Sequence, residues 1–513
     1  MKPTHFCVVA FAAVSLAAGA LAAEPGLNPW FIAGRQAVRE AAAGQPIPHA
    51  KNAILFVGDG MGIATVTAAR ILAGQQRGAL GEENLLSFER LPYTALSKTY
   101  TVDFQVGESA GTMTAMMTGV KTRSGVLGVD ESDPRGDFAR TSAASVPTLV
   151  ERAEDKGIWA GVVTTTTVTH ATPGGCYAHT PERNWESDAQ LSPGARTADF
   201  PDIARQLVEF SHGDGIHVVL GGGRQNFLRT PDGQRGDGRN LVAEWQKRYA
   251  DGAYAADREA LLAVDAKKLH HLLGLFSPEH MAYEMERKAT PPEQPSLSEM
   301  TARAIDVLAQ SPKGFFLMVE GGRIDHGHHA GNAYRALTET IEFANAVKVA
   351  LTKTDAKDTL VVVTADHSHT LTISGYPKRG NPILGLVVGS IGEGAASNTP
   401  AKDLTGKPYT TLNYATGPGF DEKSDVEPEG AKTYPHRPTK AEPGTSGRPD
   451  LTGPQAQDPN HLQEALVPLS AGTHGGEDVA IYAGGPGAFL FHGVQEQNYV
   501  FHAIAAALGL VTP

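Results

Sequence analysis

Ala53-Ile54-Leu55-Phe56-Val57-Gly58-Asp59-Gly60-Met61-Gly62 decides the fold. The apolar run reads as a β-strand, and the segment Ile63–Ala73 behind the glycines reads as a helix. The same event recurs downstream. Gly314-Phe315-Phe316-Leu317-Met318-Val319 leads into Glu320, and Thr359-Leu360-Val361-Val362-Val363 leads towards Asp366. Val479-Ala480-Ile481-Tyr482 lies just beside His474. In open α/β sheets the ligand crevice lies outside the carboxyl ends of the strands. Carboxylates and imidazoles gathered there are too anionic to persist without cations, so a multi-metal hydrolytic site is the first reading.

Working outward, Trp159–Val163 and Val218–Leu220 read as further strands. Leu297–Leu308 and Tyr334–Leu351 read as helices flanking the strand at Phe315–Val319, and Asn28–Ala43 as a peripheral helix. The alternation predicts an α/β fold, a mostly parallel central sheet sandwiched by helices. A chain of 513 residues accommodates one large domain with insertions, or two domains. Asp421 to Asn460 is rich in proline, glycine and charge and reads as a long irregular loop. With the preceding segment it forms a predicted insertion over residues 375–465.

Composition narrows the partners. Lys and Arg number 44 against 56 Asp and Glu, and this balance of −12 argues against nucleic acid as the dedicated partner. An anionic substrate then needs a local positive site, which metals and an arginine supply. At the N-terminus, Lys2, the apolar run Phe6–Leu16 and Ala20-Leu21-Ala22 read as an export signal cleaved after residue 22. No other segment is long and apolar enough to cross a membrane. Of the two cysteines, Cys7 leaves with the signal, so Cys176 has no intramolecular partner in the mature chain. A periplasmic or secreted location follows.

Four further motifs carry chemistry. The Gly58–Gly62 turn fails as a dinucleotide fingerprint, because Ile63 stands where the third glycine belongs and Asp59 repels a pyrophosphate. Gly107-Glu108-Ser109-Ala110-Gly111-Thr112 precedes the helical run Met113–Thr118, which places Ser109 at a helix N-terminus, suited either to an anion or to a simple cap. In Glu320-Gly-Gly-Arg-Ile-Asp325-His326-Gly-His328-His329, Asp325 and His329 are four apart and share a face if helical. Glu320 offers hard oxygen suited to magnesium. Asp366-His367 is a candidate zinc pair, with His369 as its support. Thr172, in Thr167–Pro173, offers a hydroxyl, and Arg183 a guanidinium able to fork onto two phosphate oxygens.

Together these residues resemble the alkaline phosphatase family, closer to its animal-type branch, over nearly the whole mature chain. Gly58–Gly62, Ala95–Tyr100, the Ser109 segment, Tyr177–Thr180, Glu320–His329 and Gly475–Val479 carry the resemblance. It implies one catalytic domain over 23–513 with a crown-like insertion at 375–465, a homodimer, and hydrolysis of phosphate monoesters. Ser109 is then the nucleophile that becomes phosphorylated, and Arg183 the phosphate clamp. Asp325, His329 and His474 are implied as ligands of one zinc. Asp59, Asp366 and His367, approached by Ser109, are implied as ligands of a second. Asp59, Thr172 and Glu320 are implied as the magnesium site. His170 and His326 match the histidines that the animal-type enzymes keep beside the metals.

The chain departs from the family pattern in places. Glu108 stands where the family usually has Asp, so Arg183 is expected to be held differently, with altered phosphate affinity. Ser277 and Gln294 replace usual carboxylates of a calcium site, and the loop Thr230–Gly236 is shortened, so no calcium site is expected. Other readings on a similar scaffold are phosphodiester or sulfate ester hydrolysis, or a non-catalytic metal- or phosphate-binding protein. Ser109-Ala110-Gly111-Thr112 lacks the proline and arginine of a sulfatase motif.

Overall fold

In the computed structural model, which describes residues 28–289, 293–389, 397–403, 406–420 and 448–511, strand β1 (Asn52–Gly58) is buried at every position. Its side chains therefore serve two cores. Leu55 and Val57 join Phe316, Met318, Leu360 and Val362 on one face. Ile54 and Phe56 join Leu317, Val319, Val361 and Val363 on the other. A strand covered on both sides has no polar face, which is why the sequence shows an unbroken apolar run. The signal reading at 1–22 and residues 421–447 of the Pro-rich stretch lie outside the described residues.

The remaining strands are β2 (Tyr93–Lys98), β3 (Trp159–Thr167), β4 (Val218–Gly222), β5 (Ala253–Ala255), β6 (Leu272–Leu275), β7 (Phe315–Gly321) and β8 (Thr359–Ala365). They continue with β9 (Ser368–His369), β10 (Leu371–Ile373), β11 (Leu412–Gly417), β12 (Ala465–Pro468), β13 (His474–Gly475), β14 (Val479–Gly484) and β15 (Val494–Glu496). Ten of them form one sheet in the order β15-β2-β14-β8-β1-β7-β3-β4-β6-β5. Only β14, among the described residues, runs against its neighbours in that sheet. The expected mostly parallel α/β sheet is what forms.

One expectation needs correction. His474 does not follow a strand of the main sheet; it lies in β13, paired with His369 of β9, and precedes β14. Because β14 is antiparallel to β8, its start lies at the edge where β1, β7 and β8 end. His474 thus reaches the crevice by strand reversal.

Helices cover both faces. On one, α1 (Pro29–Ala42), capped by the Asn28 side chain, packs on helix Tyr499–Ala507, with Phe31 and Phe501 ring centroids 5.7 Å apart. On the other, α2 (Ile63–Gln75) lies with helices Leu297–Leu308 and Ala333–Lys353. Ser296 and Glu299 close a reciprocal cap at the start of Leu297–Leu308, satisfying N–H groups that the helix itself leaves open. In the 375–465 region, β11 pairs with β10, which lies just ahead of it, and with β12 in a small separate sheet. No helix among the described residues is long and apolar enough to cross a membrane.

Helix Ala333–Lys353 also buries an acid. Burial drives the Glu339 carboxyl from 4.5 to about 8, and the backbone N–H of Glu284 donates to it. A carboxyl raised on folding stabilises fully below its unfolded value near 4.5, and the contribution is lost as pH rises through about 8. Glu339→Gln is therefore expected to leave stability at pH 5 nearly unchanged and to raise it at pH 9, by at most about 5 kcal/mol. Denaturant unfolding of both proteins at the two pH values checks this; equal stabilities at pH 9 would refute it.

Candidate metal centre and active site

The turn after β1 carries the first carboxylate. Gly60 has φ +67°, and a Cβ there would stand 2.5 Å from the His369 ring, so the close approach of this backbone needs glycine. The freed space lets the Gly60 N–H donate to Asp366 Oδ1 at 2.9 Å, tying the β1 turn to the end of β8. Asp59, at 0% exposure, is then fixed against its neighbours.

Three side-chain groups converge here. The first joins Asp325, His329, His369 and His474. Asp325 and His329 do lie on one helix, Arg323–His329, as their spacing predicted. His329 Nδ1 donates to the Gly472 carbonyl at 2.6 Å, and His474 Nδ1 to the Gly107 carbonyl at 2.9 Å. Each ring therefore turns a bare Nε2 inward, and the two Nε2 atoms are 3.1 Å apart. Asp325 Oδ2 is 3.3 Å from His329 Nε2, and Asp325 Oδ1 3.6 Å from His474 Nε2. Lone pairs facing one another at these spacings are the edges of a tetrahedral site with bonds of about 2.0–2.1 Å. His369 Nε2 donates to Asp325 Oδ1 at 2.5 Å, supporting the first group rather than Asp366-His367.

The second group surrounds Ser109. His367 Nε2 lies 3.2 Å from Asp366 Oδ2, 3.4 Å from Asp59 Oδ1 and 3.4 Å from Ser109 Oγ. Asp59 Oδ1 and Asp366 Oδ2 are buried without a hydrogen-bond partner. His367 Nδ1 donates to the Ser368 carbonyl at 3.3 Å, again leaving Nε2 bare. The third group joins Asp59, Glu320 and His170. Thr164 and Thr166 donate to Glu320 Oε2, whereas Glu320 Oε1 and the hydroxyl of Thr172 are buried without a partner. Hard oxygens left open in this way suit magnesium.

The electrostatics demand the same filling. Burial, reinforced by Asp366, Asp325 and Glu320, pushes Asp59 well above the carboxylate range. Burial likewise pushes Glu320 and Asp366 up to about 7. Burial would also raise Asp325, but His329 and His369 outweigh it and hold the group low. Burial drives His367 well below its ordinary value, with His474 adding to the effect. The residues thus form neutral nitrogen and carboxylate donors whose shared charge needs cations, and the donor set fits metal ions.

Ser109 begins α3 (Ser109–Thr118), and two of the N–H groups at its start are already taken. Glu108 is the cap, accepting from Gly111 N at 2.8 Å and Ala110 N at 3.0 Å. The same carboxylate pairs with Arg183 Nη1 at 2.6 Å. Burial opposes its charge, yet Arg183 and the backbone N–H groups hold Glu108 below the usual carboxylate range. Arg183 Nη2 donates to His170 Nε2 at 3.0 Å, which leaves the ring proton on Nδ1. Arg323 Nη1 donates to His326 Nδ1 at 2.7 Å.

Sequence reasoning passed over Thr164 and Thr166, Arg323, His280 and Gln497. His280 stands beside His326 with ring centroids 4.5 Å apart. Gln497 donates to the Asp366 carbonyl at 2.6 Å. The run Thr164-Thr165-Thr166-Thr167 at the end of a buried strand was a usable signal, since buried hydroxyls need partners.

The alkaline phosphatase family model matches residues 50–510. An alkaline phosphatase of Gadus morhua is 43% identical over 472 residues, covering 89% of this chain and 91% of the cod protein. The tissue-nonspecific isozyme of Gallus gallus is 44% identical over 477 residues, covering 89% and 84%. The crystal structure of Thermus thermophilus alkaline phosphatase superposes with a TM-score of 0.64 at 25% identity, covering 92% of this chain and 94% of that one. The structure of the alkaline phosphatase from the Antarctic bacterium TAB5, at 22% identity and TM-score 0.59, covers 91% and 100% and shares the fold. The chain belongs to the alkaline phosphatase family and is a phosphomonoesterase.

Proposed function

We propose that this chain is an exported alkaline phosphatase that works with two zinc ions and one magnesium ion through a phosphoserine on Ser109. The observation that carries the reading is Ser109 Oγ, 3.4 Å from His367 Nε2 and 3.5 Å from Asp59 Oδ2, facing the donors of the second group. Asp325, His329 and His474 would hold one zinc. Asp59, Asp366 and His367 would hold the other, and Asp59, Thr172 and Glu320 the magnesium. When bound, such ions lower the pKa of a nearby hydroxyl and offset charge on the attacking and leaving oxygens.

The protein's own residues do the rest. Ser109 attacks phosphorus in line and the alcohol leaves; water then opens the phosphoserine from the other side and releases inorganic phosphate. Arg183 grips two phosphoryl oxygens, and its pair with Glu108 sets the fork's direction. The longer Glu108 reaches Arg183 while capping α3, so the two tasks share one carboxylate. His170, grouped with Asp59 and Glu320, would stand beside the magnesium and is held by the same arginine, and His326 packs against it with ring centroids 5.7 Å apart.

The reading extends to assembly and location. The apolar run and cleavage pattern at residues 1–22 support export to the periplasm or beyond. Tyr376, 69% exposed in the 375–465 insertion, and Leu466, 83% exposed just after it, support a partner subunit seated there. No calcium site is proposed: Gln294 Oε1 already accepts from the Ala282 N–H at 2.8 Å, and Ser277 brings no carboxylate.

Chelator-stripped mature protein is expected to regain aryl phosphate turnover with zinc, more with zinc plus magnesium, and increasingly at alkaline pH. Stoichiometric zinc uptake with no turnover would sink the reading. Ser109→Ala should lower turnover roughly 10³-fold or more and abolish acid-stable phosphate labelling while keeping the metals. Arg183→Ala should weaken inhibition by inorganic phosphate about 10- to 100-fold, the loss of a charged hydrogen-bond pair. An unchanged inhibition constant would remove Arg183 from the clamp.

A further inference from the structure

A second cluster lies at the opposite edge of the sheet. His217 immediately precedes β4 and His271 immediately precedes β6, neighbouring parallel strands paired Val218 to Leu272. The register therefore sets the two imidazoles side by side, with ring centroids 4.8 Å apart. Asp214, in the loop before β4, brings a carboxylate within 4.8 Å of a nitrogen on each ring.

The details resemble a prepared ligand set. Glu154 Oε1 receives the Ala160 N–H at 2.6 Å and lies 3.0 Å from His217 Nδ1. A carboxyl group behind Nδ1, as metal-binding histidines commonly have, orients the ring and turns Nε2 outward. His217 Nε2 faces Asp214 Oδ1 at 3.5 Å. His217 is 0% and His271 4% exposed, yet His217 Nε2 and both nitrogens of His271 lack a hydrogen-bond partner. Trp159 packs on the His217 ring with centroids 4.1 Å apart, and Tyr249 on His271 at 4.0 Å. Stacking accounts for the buried rings but leaves His217 Nε2 without a hydrogen bond, and His271 Nδ1 has only Asp251 Oδ1 at 3.8 Å. The side chain of Asp214, 67% exposed, opens the cluster to solvent.

The geometry points to a further divalent-cation site of zinc class, ligated by Asp214, His217 and His271, far from the catalytic groups. Two imidazoles and a carboxylate suit zinc, with the fourth position left to solvent. The ion would pin the loop before β4 to the starts of two strands, a bracing role separate from hydrolysis.

The test counts metal in zinc-loaded mature protein after passage through a weak chelator. Asp214→Asn and His271→Gln should each carry one zinc per chain fewer than the wild type, with unchanged aryl phosphate turnover. Asp214 is exposed, so its variant folds even if the His271 variant does not. Equal zinc counts in wild type and Asp214→Asn would overturn the site. A lost ion with unaltered turnover supports it whether or not the catalytic proposal stands.

Discussion

Four carboxylates, Asp59, Glu320, Asp325 and Asp366, are buried together at the ends of three adjacent strands. Nothing in the fold neutralises them fully. His329 and His474 bring imidazoles, but their hydrogen bonds to carbonyls turn bare nitrogens inward rather than protons. A buried charge without compensation is costly enough to undo a domain's net stability. The rest of the structure is organised around that requirement for cations. The sheet edge supplies the address, β14 reverses to deliver His474, and Gly60 removes a side chain so that two strand ends can touch.

The groups around the carboxylates show a division of labour. One oxygen of Glu320 is occupied by threonine hydroxyls while the other stays open. One oxygen of Asp366 holds the Gly60 N–H while the other stays open. Each carboxylate is thus oriented by one oxygen and available through the other. His369 and Gln497 extend this support outward. Positioning of this kind lets the proposed chemistry rely on fixed charges rather than on motion.

Glu108 departs from the family pattern, and the structure shows how the chain accommodates it. Its carboxylate closes the N-terminus of α3 and grips Arg183 at once. Two N–H groups at the helix start are thereby occupied, and the same carboxylate fixes the direction of the guanidinium.

The sheet, its flanking helices and the strand-end address of Asp59, Glu320 and Asp366 were legible in the chain itself. Unbroken apolar runs and helical periodicity are local consequences of burial on two faces, and the Asp325–His329 spacing is a local property of helix geometry. Helical phase also separates His328, which bonds Thr65 and Tyr414 instead of joining the site, although spacing alone did not identify its partners. The support of Glu320 by Thr164 and Thr166 and the pairing of His217 with His271 were not legible. Each depends on strands or loops distant in sequence meeting in one register, and only the assembled sheet decides which meet. Sequence by itself therefore determined the elements and the identity of most donors; tertiary structure decided which lone pairs face each other, because that direction is set by hydrogen bonds to residues far along the chain.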